Sequence, residues 1–295
     1  MTRQQMLAKI DAYERLMRLD KPIGILLLLW PTLWALCIAG RGMPNWIIVM
    51  IFVTGTILMR SAGCVMNDIA DRKYDGLVER TKNRPIATNE VSVKEAYILA
   101  AVLSFAAFGL VLFLNRTTIY FSFAALFLAA TYPFTKRFLV IPQAYLGVAF
   151  GFGIPMAFAA INDYIPPLAW QLLLANVFWA IAYDTEYAMV DRADDLKIGI
   201  KSSAIFFGKF DVVAIMLCYI AMLLILIYIG GFMAFGRYYF IGLGVAFCLM
   251  LYQYCLIRQR NTAKCFKAFL SNNWIGFAVF VGLVVDHYQR IGFQL

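Results

Sequence analysis

The placement of charged residues constrains this 295-residue chain more than any other feature. Nine stretches of at least 18 residues contain no Asp, Glu, Lys or Arg, namely 22–40, 42–59, 96–115, 117–135, 138–162, 164–183, 212–236, 238–257 and 268–285. A helix of about 20 apolar residues crosses the hydrocarbon core of a bilayer. Strands of a membrane barrel would be shorter and would alternate in polarity, so helices are favoured. The pattern predicts an all-α membrane protein of nine transmembrane helices, forming a single domain over 1–295.

The basic residues are distributed unevenly between the segments that connect these stretches. If the N-terminus is cytoplasmic, the inner segments hold 21 Lys and Arg residues, and the outer segments hold only Arg41, Arg116, Arg237 and Arg290. The positive-inside rule then places the N-terminus in the cytoplasm and the C-terminus in the periplasm. The net charge of +9 is therefore a topology signal and does not indicate a nucleic-acid partner. No cleavable signal peptide is visible, so we expect a multi-pass protein of the bacterial cytoplasmic (inner) membrane.

The acidic residues are concentrated in two predicted cytoplasmic stretches, 67–95 and 184–211, which hold 12 of the 17. Each stretch follows an even-numbered span, and an offset of 120 residues relates Asp71 to Asp191. This correspondence predicts a structural repeat of four helices, spans 1–4 and 5–8, with a ninth helix added. Membrane proteins built from repeats often place their functional site where the repeats meet.

Each acidic stretch opens with carboxylates at helical spacing, so that they share one face of a helix. In the first stretch these are Asp68, Asp71 and Asp75, with Asn67 beside them. In the second they are Asp184, Asp191 and Asp195. Like charges at this spacing repel one another, so we expect a cationic group to compensate them.

The composition of the two clusters indicates which cation that is. The single histidine, His287, lies near the outer end of the last span, and the six cysteines show no metal-type spacing. Oxygen ligands alone favour a hard cation, Mg²⁺ above all, which typically joins carboxylates to substrate phosphate oxygens. The two clusters therefore predict a diphosphate site. A solvated helix end would explain one such cluster, but it explains two at matching positions less well.

Basic groups near both clusters suit a diphosphate ligand, for which Arg and Lys are the usual partners besides a metal. Arg80, Lys82 and Arg84 follow the first cluster, and Lys197 and Lys201 follow the second. Tyr132 and Lys136, one helical turn apart, end the fourth span. Taken singly, each of these is better explained as a surface charge that sets the topology, but together they favour an anion bound with a metal ion.

These motifs together resemble the UbiA superfamily of intramembrane prenyltransferases. The pattern comprises Asn-Asp-x-x-Asp-x-x-x-Asp at 67–75, Tyr-x-x-x-Lys at 132–136 and Asp-x-x-x-Asp at 191–195. The wider strings at 18–24, 80–86 and 182–202 are similar to the bacterial branch that prenylates 4-hydroxybenzoate. The resemblance covers residues 13–282 without a departure from the motif pattern.

The resemblance implies a UbiA-type helix bundle that transfers a polyprenyl group from its diphosphate to 4-hydroxybenzoate, ortho to the hydroxyl, in ubiquinone biosynthesis. It implies Mg²⁺ as the cofactor and the bilayer as the surroundings, and the sequence indicates no obligatory protein partner. The implied catalytic and metal-binding aspartates are Asp71, Asp75, Asp191 and Asp195, with Asn67 and Asp68 in or next to the metal shell. The implied substrate-binding residues are Arg60, Asn67, Asp68, Arg72, Arg84, Tyr132, Lys136, Arg137, Asp184, Tyr187 and Lys201. Asp191 is the candidate for polarising the phenol.

Arg60 interrupts the second predicted span, where a charge costs at least a few kcal/mol. Snorkelling of the side chain to the interface would compensate for that cost. Alternatively, Arg60 binds the carboxylate of the aromatic acid, because it lies two helical turns below Asn67 on the same face and offers a planar fork. Within the family this position carries an arginine assigned to the aromatic acid. Arg137 is the second candidate for the same contact.

Two other functions remain open from the residues. A secondary transporter would also be polytopic with intramembrane charges, although its carboxylates usually lie near the midplane on broken helices. A prenyltransferase of the same superfamily could instead act on another acceptor, such as dihydroxynaphthoate or homogentisate. The preferred prenyl length, the oligomeric state and the complete set of metal ligands do not follow from the sequence.

Overall fold

The computed structural model describes residues 3–292, and every element of regular structure in that range is a helix. The prediction of an all-α protein is confirmed. The α-helices are α1 (Arg3–Met17), α2 (Ile23–Ala39), α3 (Trp46–Asp71), α4 (Val93–Val111), α5 (Arg116–Thr135), α6 (Pro142–Gly151), α7 (Gly153–Asn162), α8 (Pro167–Ile198), α9 (Ser203–Phe207), α10 (Asp211–Phe232), α11 (Arg237–Ile257) and α12 (Thr262–Gly292).

The number of membrane spans is lower by a strict criterion than the nine uncharged stretches suggest. Within residues 3–292, seven helical segments are long and apolar enough to cross a bilayer, with α6 and α7 taken as one segment and α9 joined to α10. Of the remaining two stretches, one forms α2, which is apolar but only 17 residues long. The other forms the first part of α8, a 32-residue helix whose second half is charged. The chain is a multi-pass membrane protein, and the count of nine stays a prediction.

Helix α8 is held firmly in the bundle, and its packing decides which way its acidic residues face. Trp179 of α8 stacks on Trp34 of α2, with ring centroids 5.4 Å apart. Alanines at 175, 180 and 182 are fully buried, and small residues of this kind let membrane helices approach closely. The long helix therefore has a fixed rotation about its own axis.

A buried polar network fixes that rotation further. The carboxylate of Glu186 accepts hydrogen bonds from the Tyr219 hydroxyl of α10 at 3.0 Å and from Asn272 Nδ2 of α12 at 2.7 Å. Asn272 Oδ1 accepts one from Trp179 Nε1 at 3.0 Å. Polar groups away from water must find partners within the protein. Glu186 lies two residues after Asp184, on roughly the opposite side of the helix, so the network turns Asp184 away from α10 and α12.

The carboxylates of α3 and α8 lie at one end of the bundle, which we call the acidic end. Helix α1 packs across this end and buries Ala12 and Leu16 in a cluster with Val65 and Ile69 of α3. The connection 72–92 folds back over the same end and leads into α4 through a capping box between Ser92 and Glu95. Two surface ion pairs attach α1 to its neighbours, Arg15–Glu90 to this connection and Lys9–Glu95 to the first turn of α4.

Candidate active site

The first acidic motif does not continue as one helix. Helix α3 ends at Asp71, and Asp75 begins a short 3₁₀ turn, so the prediction that Asp68, Asp71 and Asp75 lie on one helical face is wrong for Asp75. The Arg72 guanidinium donates to the Ile69 carbonyl, an acceptor that the ending helix leaves free.

Arg84 holds Asp75 close to Asp68, although Asp75 lies beyond the end of α3. Its Nη1 lies 3.0 Å from a carboxylate oxygen of Asp68 and 3.0 Å from one of Asp75. Asp68 is only 1% exposed and also accepts from Arg18 Nη2, at 3.0 Å to both of its oxygens. Burial raises the pKa of the Asp75 carboxyl to about 6, and the nearby carboxylates of Asp68 and Asp71 raise it further. The positive charge of Arg84 lowers this pKa but does not offset the rise.

Arg80 connects the first acidic stretch to the second. Its Nε lies 3.0 Å from Asp191 Oδ1, and its Nη2 lies 2.5 Å from Asp191 Oδ2, which is the two-pronged geometry typical of an arginine–carboxylate pair. The guanidinium carbon also lies 4.5 Å above the centroid of the Tyr187 ring. The connection after α3 is thereby attached to the face of α8 that carries Tyr187 and Asp191.

Lys136, at the end of α5, forms an ion pair with Asp71 Oδ2. The second oxygen of the same carboxylate, Asp71 Oδ1, is buried and has no hydrogen-bond partner among the described residues. Burial, together with the nearby Asp191 carboxylate, raises the pKa of the Asp195 carboxyl to about 7, and Lys136 opposes that rise. Lys136 therefore lies near carboxylates of both motifs, and it does not neutralise all of their negative charge.

This arrangement suits a divalent cation that shares its ligands with a substrate. Among residues 3–292, no three His, Cys, Asp or Glu side chains form a ready-made metal cage. Mg²⁺ seldom has such a cage, since it usually binds one or two carboxylates together with phosphate oxygens and water. A buried, unpartnered carboxylate oxygen on Asp71 fits that description. Asn67 and Asp68, in the last turns of α3, lie next to it in the chain.

A cavity of about 370 Å³ extends from beneath the carboxylates into the apolar part of the bundle. Its walls come mainly from α3, α4 and α5, and six of its lining residues are Phe52, Phe105, Phe108, Phe123, Phe150 and Phe152. Arg60 and Tyr132 also line it, and they lie on the parts of α3 and α5 nearest the acidic end. Arg60 is the one charged residue among those lining residues.

Arg60 has an unusual environment for a charge inside a membrane helix. Its Nε is buried without a hydrogen-bond partner, and no ion pair with a carboxylate is formed by Arg60 in the described part of the chain. The guanidinium carbon lies 5.1 Å from the centroid of the Phe150 ring. Arg60 precedes Asn67 by seven residues, so it lies about 10 Å deeper along α3. The alternative interpretation, in which Arg60 snorkels to the interface, is not favoured, since the side chain lines the cavity.

Three predicted site residues lie apart from the carboxylates. Arg137 is exposed and donates to the Ala70 carbonyl at 2.8 Å. Arg72 is also exposed and donates to the carbonyl of Ile69, as described above. Lys201 donates to the Phe138 carbonyl at 3.2 Å. Each of these cations satisfies a backbone oxygen at the acidic end, and none of them pairs with a site aspartate there.

Two further predicted residues lie at the border between the carboxylates and the cavity. The Tyr132 hydroxyl donates to the Gly63 carbonyl across a long 3.4 Å, and its ring packs edge-on against Phe150. The side chain of Asp184 lies near Gln143 of α6, and also near Arg60 and Asp191. Both therefore lie between the carboxylates and the apolar cavity.

Reasoning from sequence missed several residues of the site. Arg18 lies in the family-like string at 18–24, and Arg80 was noted as basic, but neither was assigned to a particular aspartate. Tyr183 directly precedes Asp184, and its hydroxyl is buried without a hydrogen-bond partner among the described residues. An intramembrane tyrosine next to an acidic motif was the available signal for Tyr183.

The fold and the site together define an integral membrane protein with a cluster of carboxylates and basic groups at the mouth of an apolar cavity. The chain belongs to the UbiA prenyltransferase family, whose model matches residues 28–280. The resemblance inferred from the motifs is confirmed.

Curated relatives match almost the whole chain. A protein of Methylobacillus flagellatus named 4-hydroxybenzoate octaprenyltransferase is 63% identical over 282 residues, covering 96% of this chain and 95% of the relative. A protein of the same name from an Azoarcus species is 63% identical over 279 residues, covering 95% and 97%.

Solved structures of more distant relatives share the fold. The apo structure of a UbiA homolog from Aeropyrum pernix superposes with a TM-score of 0.78 at 22% identity, covering 88% of this chain and 97% of that one. A UbiA homolog from Archaeoglobus fulgidus bound to GPP and Mg²⁺ superposes with a TM-score of 0.66 at 19% identity, covering 91% and 99%. The likeness at these identities supports the UbiA-type bundle.

Proposed function

We propose that this chain transfers a polyprenyl group from polyprenyl diphosphate to 4-hydroxybenzoate, forming a bond to the ring carbon ortho to the hydroxyl, in ubiquinone biosynthesis. The observation that carries the proposal is the placement of Arg60. An unpaired guanidinium lines an apolar cavity about 10 Å below Asn67 along α3. A small aromatic acid and a long apolar tail would need these two features side by side. The names of the 63% identical relatives agree with this substrate pair.

The residues of the acidic end divide the binding of the diphosphate between them. Asp71, Asp75, Asp191 and Asp195 would hold Mg²⁺, with Asn67 and Asp68 alongside, and the metal would neutralise charge on the departing diphosphate when bound. Arg80, Arg84 and Lys136 now form ion pairs with aspartates, so they are positioned to turn toward phosphate oxygens instead. Such an exchange keeps every charge partnered in both states.

The other residues would orient the two carbon centres. The phenylalanine-lined cavity would hold the polyprenyl tail, with the allylic carbon toward the carboxylates. The Arg60 fork would bind the acceptor carboxylate and direct the phenol end of the ring toward that carbon. Asp191 would polarise the phenol, so that the electron-rich ring attacks the cation-like allylic carbon. The ring proton then leaves to a nearby base or to solvent, and diphosphate is released.

A direct assay tests the substrates. Purified protein in lipid nanodiscs with polyprenyl diphosphate and Mg²⁺ is expected to prenylate 4-hydroxybenzoate, and the product is measured by mass spectrometry. Dihydroxynaphthoate and homogentisate serve as competing acceptors in parallel reactions. Faster turnover of either one would replace the proposed acceptor, and no transfer to any of the three would contradict prenyl transfer to an aromatic ring.

We also propose that the acidic end faces the cytoplasm and that the protein lies in the bacterial inner membrane. The 21 to four imbalance of basic residues supports this orientation. Single cysteines replacing Glu79 near the acidic end and Arg237 at the opposite end, in a chain with its six natural cysteines removed, are expected to react with an impermeant maleimide from opposite sides. Labelling of the cysteine at position 79 from outside intact cells would contradict the proposed orientation.

A further inference from the structure

Gly24, the second residue of α2, lies directly against the guanidinium of Arg60. A Cβ added at Gly24 would lie 2.7 Å from Arg60 Nη2, 2.8 Å from Nε and 3.1 Å from Cζ. The two nitrogen distances are nearly equal and the carbon is farther away, so α2 approaches along the edge that Nε and Nη2 share. The guanidinium can approach α2 this closely because glycine has no Cβ.

This contact involves the unpartnered nitrogen of Arg60. Nε is buried without a hydrogen-bond acceptor, and it lies 2.8 Å from the position that a Cβ of residue 24 would occupy. The Phe150 ring covers the guanidinium from another direction, at 5.1 Å from Cζ, and is itself held by an edge-on contact with Tyr132. Apolar contacts thus position the group without using its other donors.

The remaining donors are those that a substrate would need. Of the three guanidinium nitrogens, Nε alone is both buried and unpartnered, and Arg60 makes no ion pair with a site aspartate. Because Arg60 lines the cavity, the Nη1–Nη2 end is available to a ligand there. The two NH₂ groups at that end form a fork that can bind both oxygens of one carboxylate.

We propose that Gly24 and Phe150 are positioning residues that seat Arg60 with its Nη1–Nη2 end open to the carboxylate of the aromatic acceptor. The inference rests on the proposed acceptor role of Arg60 and adds two residues to it. Gly24 acts through the absence of a side chain, and Phe150 acts through the face of its ring.

The expected effect of Gly24→Ala is specific to the acceptor. Alanine favours a helix more than glycine does, and the three atoms nearest the added methyl group all belong to the end of the Arg60 side chain, so the fold should persist. The guanidinium must move, and the KM for 4-hydroxybenzoate should rise about tenfold, as expected for one charged hydrogen bond lost. The KM for polyprenyl diphosphate and the Tm should remain at wild-type values.

Gly244→Ala on α11 is the matched control, because a Cβ there meets nothing within 4 Å. A double-mutant cycle with Arg60→Lys isolates the contact, since a lysine presents no planar edge to residue 24. In the Arg60→Lys background, Gly24→Ala should therefore add little to the acceptor KM. Phe150→Leu should raise the acceptor KM. Phe150→Tyr keeps the aromatic ring and should leave the acceptor KM near the wild-type value.

Three results would overturn the seat of Arg60. The first is an acceptor KM for Gly24→Ala within about twofold of wild type. The second is an equal rise from Gly24→Ala in the wild-type and Arg60→Lys backgrounds. The third is an unchanged acceptor KM in Arg60→Lys alone, which would also remove Arg60 from the proposed function. A raised acceptor KM in Arg60→Lys with no effect of Gly24→Ala would contradict the positioning role of Gly24 but would remain consistent with the proposed function.

Discussion

Asp71→Asn is expected to abolish prenyl transfer while the protein remains folded in the membrane. The substitution keeps the shape of the side chain but removes the charge that balances Lys136, together with a buried oxygen that has no protein partner. If that oxygen binds Mg²⁺ beside the diphosphate, turnover should fall more than about 100-fold, the scale on which an electrostatic contact to the reacting groups acts. Product formation under saturating substrates measures the loss, and Asp191→Asn should behave in the same way.

Asp194→Asn is the matched control for this experiment. Asp194 lies within the second acidic stretch, but its carboxylate pairs with the exposed Lys197, three residues along α8. Its replacement should change turnover little, because an exposed ion pair of this kind contributes at most about 1 kcal/mol to stability. Activity of the wild-type protein should vanish with EDTA and return with Mg²⁺. Full activity in EDTA, or equal losses for Asp71→Asn and Asp194→Asn, would contradict a metal-binding role for the clusters.

Arg60→Ala should raise the KM for 4-hydroxybenzoate far more than the KM for polyprenyl diphosphate. Two charged hydrogen bonds to a carboxylate correspond to an affinity loss of at least about 100-fold when both are removed. Arg60→Lys should recover part of the loss, because an ammonium attracts the carboxylate but cannot present two parallel donors. Steady-state kinetics with each substrate varied in turn measures both constants.

Arg137→Ala provides the comparison, since Arg137 was the second candidate for the same contact. It is exposed and already donates to the Ala70 carbonyl, so its replacement should affect the acceptor KM much less than that of Arg60. The reverse order of effects would transfer the acceptor role to Arg137. Equal losses for both substrates in Arg60→Ala would instead assign Arg60 to the diphosphate or to the packing of α3.

Much of the architecture follows from local features of the sequence. Each uncharged stretch contains a helix, because apolar length and helical hydrogen bonding are properties of a single segment. The spacing that aligns Asp184, Asp191 and Asp195 also holds, since α8 remains helical through Ile198. The same rule fails at Asp75 because α3 ends four residues earlier, at Asp71.

The partners of the charged groups could not be predicted in this way. Arg80 and Asp191 are 111 residues apart, and Lys136 and Asp71 are 65 apart, so each pair depends on how distant helices pack. The sequence favoured Arg60 and left Arg137 as a second candidate for the same carboxylate, because spacing along the chain does not show which arginine packing leaves free. Packing against Gly24 and Phe150 keeps Arg60 in the cavity, whereas the exposed Arg137 donates to the end of α3.

The sequence by itself therefore determined that this protein is a helical membrane protein, where its carboxylates lie along the chain, and which family its motifs resemble. These properties depend on composition and on spacing within one helix. Only the tertiary structure decided which cation balances which aspartate, where α3 stops contributing to the acidic cluster, and which arginine keeps its donors free. Those outcomes depend on distances between helices that no periodicity encodes, and such distances determine electrostatic energies in a medium of low polarity.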